Sequence, residues 1–256
     1  MLFSNLIQAN LKTNMIGKKI EYYPKTESTN GDAWELIKSE EDVNGTIIIT
    51  DNQYQGKGRS GHSWFMSPGK GIAISIILND KIKKHKALLI PLITGVGIIK
   101  TLESFGIKAS LKWPNDIFFR GKKLGGILCE SKFSEKLIKQ LVIGIGLNTN
   151  ETEDDLPNEL KSSATSCKII TNKAFQREII IAEMLRFIES ELKMIENDTR
   201  TIIDKWESSC NHMDKPISFY HNMKKLDGVF VGLDSSGQAI IKINESKKIF
   251  SSIIID

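Results

Sequence analysis

Two stretches of this 256-residue chain carry side chains that can bind an anion and neutralise it. The first is Asp51-Asn-Gln-Tyr-Gln-Gly-Lys-Gly-Arg-Ser-Gly-His-Ser-Trp64, where glycines 56, 58 and 61 frame Lys57 and Arg59, with His62 just beyond. Glycine permits positive φ and lets backbone approach a ligand closely. Lysine and arginine add charged donors that suit a phosphate or carboxylate. Alone, the pattern also describes a solvated basic loop between two strands. The second stretch, Lys112-Trp-Pro-Asn-Asp116, lies at the end of an expected strand. Proline breaks the ladder there and fixes the turn, so Lys112 and Asn115 are carried on stiff backbone. An isolated Lys-Trp pair reads as a surface lysine beside an aromatic. The two stretches together read as a site for an anionic ligand.

A third group, Ser28-Thr-Asn30, precedes an expected helix at Ala33–Ile37. Serine or threonine at that place caps a helix, and a helix N-terminus also receives polar ligand groups. Both readings stand at this level.

The elements that must position these residues follow from periodicity. Residues 1–20 read as a helical leader with Leu6, Ile7 and Leu11 on one face and Gly17 ending it. Strands are expected at Lys19–Tyr23, Gly45–Thr50, Gly71–Leu78, Ile107–Leu111 and Leu141–Asn148, with two more inside 118–130 joined by a tight Arg-Gly-Lys turn. Ala87–Ser104 carries apolar residues at helical spacing, and its Gly95 and Gly97 point to close packing. Neighbouring strands joined by hairpins predict a mixed, mostly antiparallel sheet in an α+β domain, not a dinucleotide-binding fold. Residues 149–173 read as an acidic, polar lid without periodicity. A helix is expected at Phe175–Asn197, another from Ile202, and short strands from Pro216 form a barrel of about 40 residues. The expected division is therefore 1–214, including a leader over 1–18, and 215–256.

Composition sets limits. A net charge of +4 allows a basic pocket but is too small to imply nucleic-acid binding. No apolar run reaches the roughly 18 residues of a membrane span, and the first residues do not read as a signal peptide. Cys129, Cys167 and Cys210 are far apart and odd in number, as in a reduced, cytoplasmic protein. Cys210 and His212 lack a second ligand pair, so no metal site is assigned.

Taken in order, the motifs resemble those of the biotin protein ligases (biotin–[acetyl-CoA-carboxylase] ligases) from about residue 20 onward. They are Ser28-Thr-Asn30, Gln53, Gly56-Lys-Gly-Arg-Ser-Gly-His-Ser-Trp64, Lys112-Trp-Pro-Asn-Asp116, Lys123-Leu-Gly-Gly-Ile127, Gly144-Ile-Gly-Leu-Asn148, Ala164-Thr-Ser166 and Lys205-Trp206. The resemblance implies a catalytic domain like class II aminoacyl-tRNA synthetases and lipoate ligases, followed by a small SH3-like barrel. It implies biotin and ATP as substrates, with Mg2+ carried on the ATP. Biotinyl-5′-AMP would form first, and its acyl group would pass to a lysine of a biotin carboxyl carrier protein.

By the same resemblance, Ser28, Thr29, Asn30, Gln53, Lys57, Gly58, Arg59 and Lys112 would hold biotin. Lys57, Arg59, Trp64, Lys112, Asn115 and Asn148 would meet ATP, and Lys112 and Arg59 would be catalytic. Relatives often dimerise through an exposed sheet edge, so the resemblance leaves a homodimer possible without fixing the oligomeric state; neither DNA nor membrane is an expected partner. The short leader leaves no room for a DNA-binding domain, which implies a ligase without a repressor role. Relatives often carry arginine where this chain has Lys57 and His62, and the 149–173 segment lacks a tryptophan to stack on adenine. Two rivals remain: a lipoate or octanoate ligase on the same fold, and a non-catalytic biotin-binding partner of carrier domains. The Gly-Lys-Gly-Arg loop disfavours the first, and Arg59 with Lys112 disfavours the second.

Overall fold

The computed structural model describes residues 1–79 and 82–255. Strands Ile47–Thr50 and Ile72–Leu78 are buried at every position, as strands covered on both faces must be. They sit inside a sheet ordered Ile20–Tyr23, Ile47–Thr50, Ile72–Leu78, Leu137–Leu147, Lys122–Ser134, Asp116–Phe119, Ser110–Lys112, with Ile82–Lys83 also pairing to Leu137–Leu147. The first pair is parallel and the others are antiparallel. This is the mixed, mostly antiparallel α+β sheet expected from the hairpin spacing. Arg120 and Gly121 take φ of 48° and 82° at the tight turn, the geometry whose twist matches the flanking strands.

Helix Leu89–Ser104 packs on one face of this sheet and on helix Arg177–Leu192. Its glycines explain how close it comes. A Cβ on Gly95 would stand 3.0 Å from Leu111, and one on Gly97 2.8 Å from Ile188. Lys205 of helix Thr199–Ser208 and Lys100 both pair with buried Glu191, so the Lys205 of the Lys-Trp motif joins helices.

Two expectations need correction. The leader helix covers only Ser4–Asn10, and Gly17 lies in a later turn, where its amide donates to the Gly45 carbonyl at 2.8 Å. The irregular backbone between them is held by Glu189, whose carboxylate accepts from the amides of Asn14, Met15 and Ile16. Those bonds do the work that a longer helix would have done. Nor is 149–173 an irregular lid. It contains turns at Glu153–Asp155 and Asn158–Leu160 and a helix at Cys167–Thr171. Thr152 and Asp155 cap reciprocally, Lys70 pairs with Asp155 at 2.5 Å, and the Ser166 hydroxyl accepts from the Ile169 amide. Local capping by serine, threonine and aspartate ordered this segment without any apolar period.

The C-terminal residues form a separate five-stranded antiparallel sheet, ordered Ser246–Phe250, Ala239–Ile243, Lys224–Leu233, Pro216–His221, Ile254–Ile255. His212 meets Trp206 and Phe230 edge to face, and the Trp206 and Phe230 rings lie tilted, where this sheet meets helix Thr199–Ser208. Trp113 Nε1 donates to the Gly237 carbonyl at 3.1 Å, which ties this sheet to the Lys112–Asp116 motif. Among the described residues no helix is long and apolar enough to cross a membrane.

Candidate active site

A cavity of about 350 Å³ gathers the three sequence motifs. Its floor is the strand Leu137–Leu147, where Gly144 and Gly146 are two residues apart and so face the same side. A Cβ on Gly144 would fall 2.3 Å from Asn30 Oδ1, and one on Gly146 2.3 Å from the Trp64 ring. The absent side chains are therefore the space that Asn30 and Trp64 occupy.

One end of the cavity is polar and buried. Ser28, Thr29, Asn30 and Gln53 all line it and are all buried. Ser28 occupies the N-cap position of helix Thr29–Ser39, but its hydroxyl makes no capping bond. Its carbonyl does accept from the Asp32 amide, so the cap is backbone only. Gln53 Oε1 accepts from the Thr29 amide at 2.9 Å. The Asn30 amide nitrogen donates to Glu130 Oε2 at 2.7 Å. Ser75 Oγ lies 2.7 Å from Thr29 Oγ1 and 2.6 Å from Asn30 Oδ1. These bonds satisfy groups that would be costly to bury unpaired.

The other end is cationic. Lys57, Arg59, Lys112 and Lys123 line it, with Asp116 as the opposing carboxylate. Lys57 and Gly56 pair with Ser63 and Trp64, so the glycine stretch is a short hairpin folded over the cavity. Ser60 at φ 54° and Gly61 at φ 80° turn its tip, and the Gly58 amide donates to the His62 carbonyl at 2.7 Å. Arg59 Nη1 donates to Asn115 Oδ1 at 3.4 Å, while Asn115 Nδ2 donates to the Ile127 carbonyl at 2.6 Å. Burial lowers the Arg59 pKa, opposed by the nearby Asp116 charge. Asp116 also pairs with Lys123 at 2.8 Å. Lys112 Nζ stands 5.4 Å from the Phe118 ring centroid, and the Trp113–Pro114 bond is cis. Lys112 also borders a second opening, with His212 and Lys215. Burial, then Lys112 and Lys215, push the His212 pKa down to about 4.

The structure thus brings Ser28, Thr29, Asn30, Gln53, Lys57, Gly58, Arg59, Trp64, Lys112 and Asn115 to one cavity. Asn148 is the exception. It is buried outside the cavity lining, and its amide donates to the Thr165 carbonyl at 2.9 Å, joining the end of its strand to the Ala164–Ser166 motif. Sequence reasoning assigned no role to Ser75, Asp116, Lys123 or Glu130, nor to Ile253, Ile254 and Ile255, which bring the C-terminal sheet to the cavity wall. Ser75 left one trace, a lone hydroxyl in the apolar run Ile72–Leu78.

Residues 22–148 match the biotin/lipoate A/B protein ligase family. The bifunctional ligase/repressor BirA of Bacillus subtilis is 32% identical over 97% of this chain and 77% of its own length. The biotin–[acetyl-CoA-carboxylase] ligase of Mycobacterium tuberculosis is 27% identical over 73% of this chain and 71% of its own. The structure of biotin protein ligase from Aquifex aeolicus in complex with biotin and ATP superposes with a TM-score of 0.79. That protein is 31% identical, over 93% of this chain and 98% of its own. On this evidence the chain belongs to the biotin/lipoate A/B protein ligase family, among its biotin protein ligases.

Proposed function

We propose that this protein is an ATP-dependent biotin protein ligase that activates biotin as biotinyl-5′-AMP and transfers it to a lysine of a biotin carboxyl carrier protein. The observation that carries this reading is one cavity with two unlike ends. A buried hydrogen-bonding end suits a small polar ring, and a cationic end suits a carboxylate meeting a phosphate. Ser28, Thr29, Asn30 and Gln53 hold the biotin ring. Lys57, Gly58, Arg59 and Lys112 cover its tail and carboxylate, and Trp64, Asn115 and the same cations meet ATP. Asn148 acts on the nucleotide indirectly, by fixing the 163–166 segment beside the strand that carries Lys123.

The first step joins two anions. The biotin carboxylate attacks the α-phosphate and pyrophosphate leaves, so positioning and charge neutralisation dominate catalysis. Lys112 and Arg59 supply that charge, with magnesium arriving on the nucleotide. The carrier lysine then attacks the mixed anhydride, and AMP leaves. No covalent enzyme intermediate is required. The glycine hairpin keeps water from the anhydride until then.

The 1–214 unit carries the chemistry and the 215–256 unit closes one wall through Ile253–Ile255. Cytoplasmic location is part of the proposal, supported by three cysteines that are far apart in sequence and odd in number. A homodimer is part of the proposal, formed along a sheet edge. The test of the whole reaction is biotin transfer to a carrier domain, with its target lysine changed to arginine as control. Labelling of the lysine form alone, dependent on ATP, is the expected result. A lipoyl carrier domain labelled with lipoate instead would overturn the reading.

A further inference from the structure

Four side chains at the polar end form a chain of hydrogen bonds whose direction is set from outside the cavity. The Glu130 carboxylate, 2.7 Å from the Asn30 side chain, accepts only. The Asn30 amide must therefore turn its nitrogen to Glu130 and its oxygen to Ser75, 2.6 Å away. Two oxygens that close need a proton between them, and an amide oxygen has none to give. The Ser75 proton is thereby committed to Asn30. The 2.7 Å contact between Ser75 and Thr29 then needs the Thr29 proton. The longer 3.2 Å contact from Thr29 Oγ1 to Gln53 Oε1 goes without, because a hydroxyl has one proton and the shorter contact takes it, while Gln53 Oε1 keeps its bond from the Thr29 amide.

Every proton in the chain Thr29–Ser75–Asn30–Glu130 thus points away from Thr29. We infer that Glu130 and Ser75 are positioning residues that make the Thr29 and Asn30 oxygens acceptors, so that this end of the cavity selects a ring bearing N–H donors. This rests on the proposed function and deepens it: a cyclic urea has such donors and a dithiolane ring has none. Ser75 is fully buried in an otherwise apolar strand, so its hydroxyl meets only this network.

Glu130→Gln keeps the shape of the side chain but can present either oxygen or nitrogen to Asn30, so the direction is lost. Ser75→Ala removes the relay. Biotin-dependent pyrophosphate exchange should show KM for biotin rising about tenfold in each variant, with kcat within about twofold. Wild type should reject a biotin analogue methylated on its ring nitrogen far more strongly than either variant does. The double variant should be no worse than the poorer single one, because both changes break one chain. Unchanged KM and unchanged rejection of the analogue in Glu130→Gln, the half-exposed site that tolerates change, would overturn the assignment. If wild type exchanged with lipoate and not with biotin, the functional reading would fail and this inference with it. Normal biotin exchange in wild type with indifferent variants would sink the inference alone.

Discussion

Arg59 and Asn115 meet at 3.4 Å across the cavity, so the glycine hairpin and the Lys112–Asp116 turn touch through one guanidinium. Neither partner sits in a strand interior, and Arg59 has glycine on its N-terminal side. The contact therefore reports how far the hairpin is folded down over the site.

Replacing Arg59 with glycine should leave the melting temperature almost unchanged while weakening retention of biotinyl-AMP by about tenfold or more. A hydrogen bond to a charged group is worth roughly 1.5–3 kcal/mol. Leakage of label to free amines should rise in step. A collapse in thermal stability with normal retention would make Arg59 a structural residue.

Gly144→Ala should raise KM for biotin more than it lowers stability. The new methyl would lie 2.3 Å from Asn30 Oδ1 and 3.0 Å from its Cγ, so Asn30 must leave its place. Overpacking of this kind costs about 1–3 kcal/mol, and here it falls on a binding residue. Titration of the variant with biotin checks it.

Glu151 offers a pH test. It is fully buried, and burial raises its pKa from 4.5 to about 7, against the Thr149 amide that donates to it at 2.7 Å. A carboxyl group with a raised folded pKa binds its proton more tightly when folded. Its contribution is present at low pH and is lost as pH rises from about 4.5 through about 7. A shift of that size corresponds to a few kcal/mol, on the order of 3. Glu151→Gln should therefore flatten the fall in melting temperature between pH 5 and 8 and be the more stable form at pH 8. Parallel curves for the two proteins would show that Glu151 does not carry the dependence.

Lys112→Ala should reduce adenylation by roughly a hundredfold, since losing a preorganised charge at a developing anion costs about 3 kcal/mol. Transfer from supplied biotinyl-AMP to the carrier lysine should suffer less. Measuring the two half-reactions separately decides it, and near-normal adenylation would remove the role given to Lys112.

Much of this site was legible because its residues cluster in short motifs. The glycine hairpin and the Lys112–Asp116 turn each announce a special backbone through glycine or proline, and the strands on either side announce themselves by apolar runs. Ser75 and Glu130 were not legible in that way. Each acts on Asn30, 45 and 100 residues distant, and only the pairing of strand Leu137–Leu147 with its two neighbours brings them together. Asn148 lies outside the cavity lining for the opposite reason. It lies in a motif, but its amide is committed to Thr165, a partner that no local pattern names. The 149–173 segment was misread because capping side chains, not periodicity, shaped it.

The most direct test of the account is pyrophosphate exchange into ATP by the purified protein, run separately with biotin and with lipoate. Exchange that depends on biotin, is lost in Lys112→Ala and is absent with lipoate is the predicted result. Exchange driven by lipoate, or none with biotin from folded protein, would contradict it.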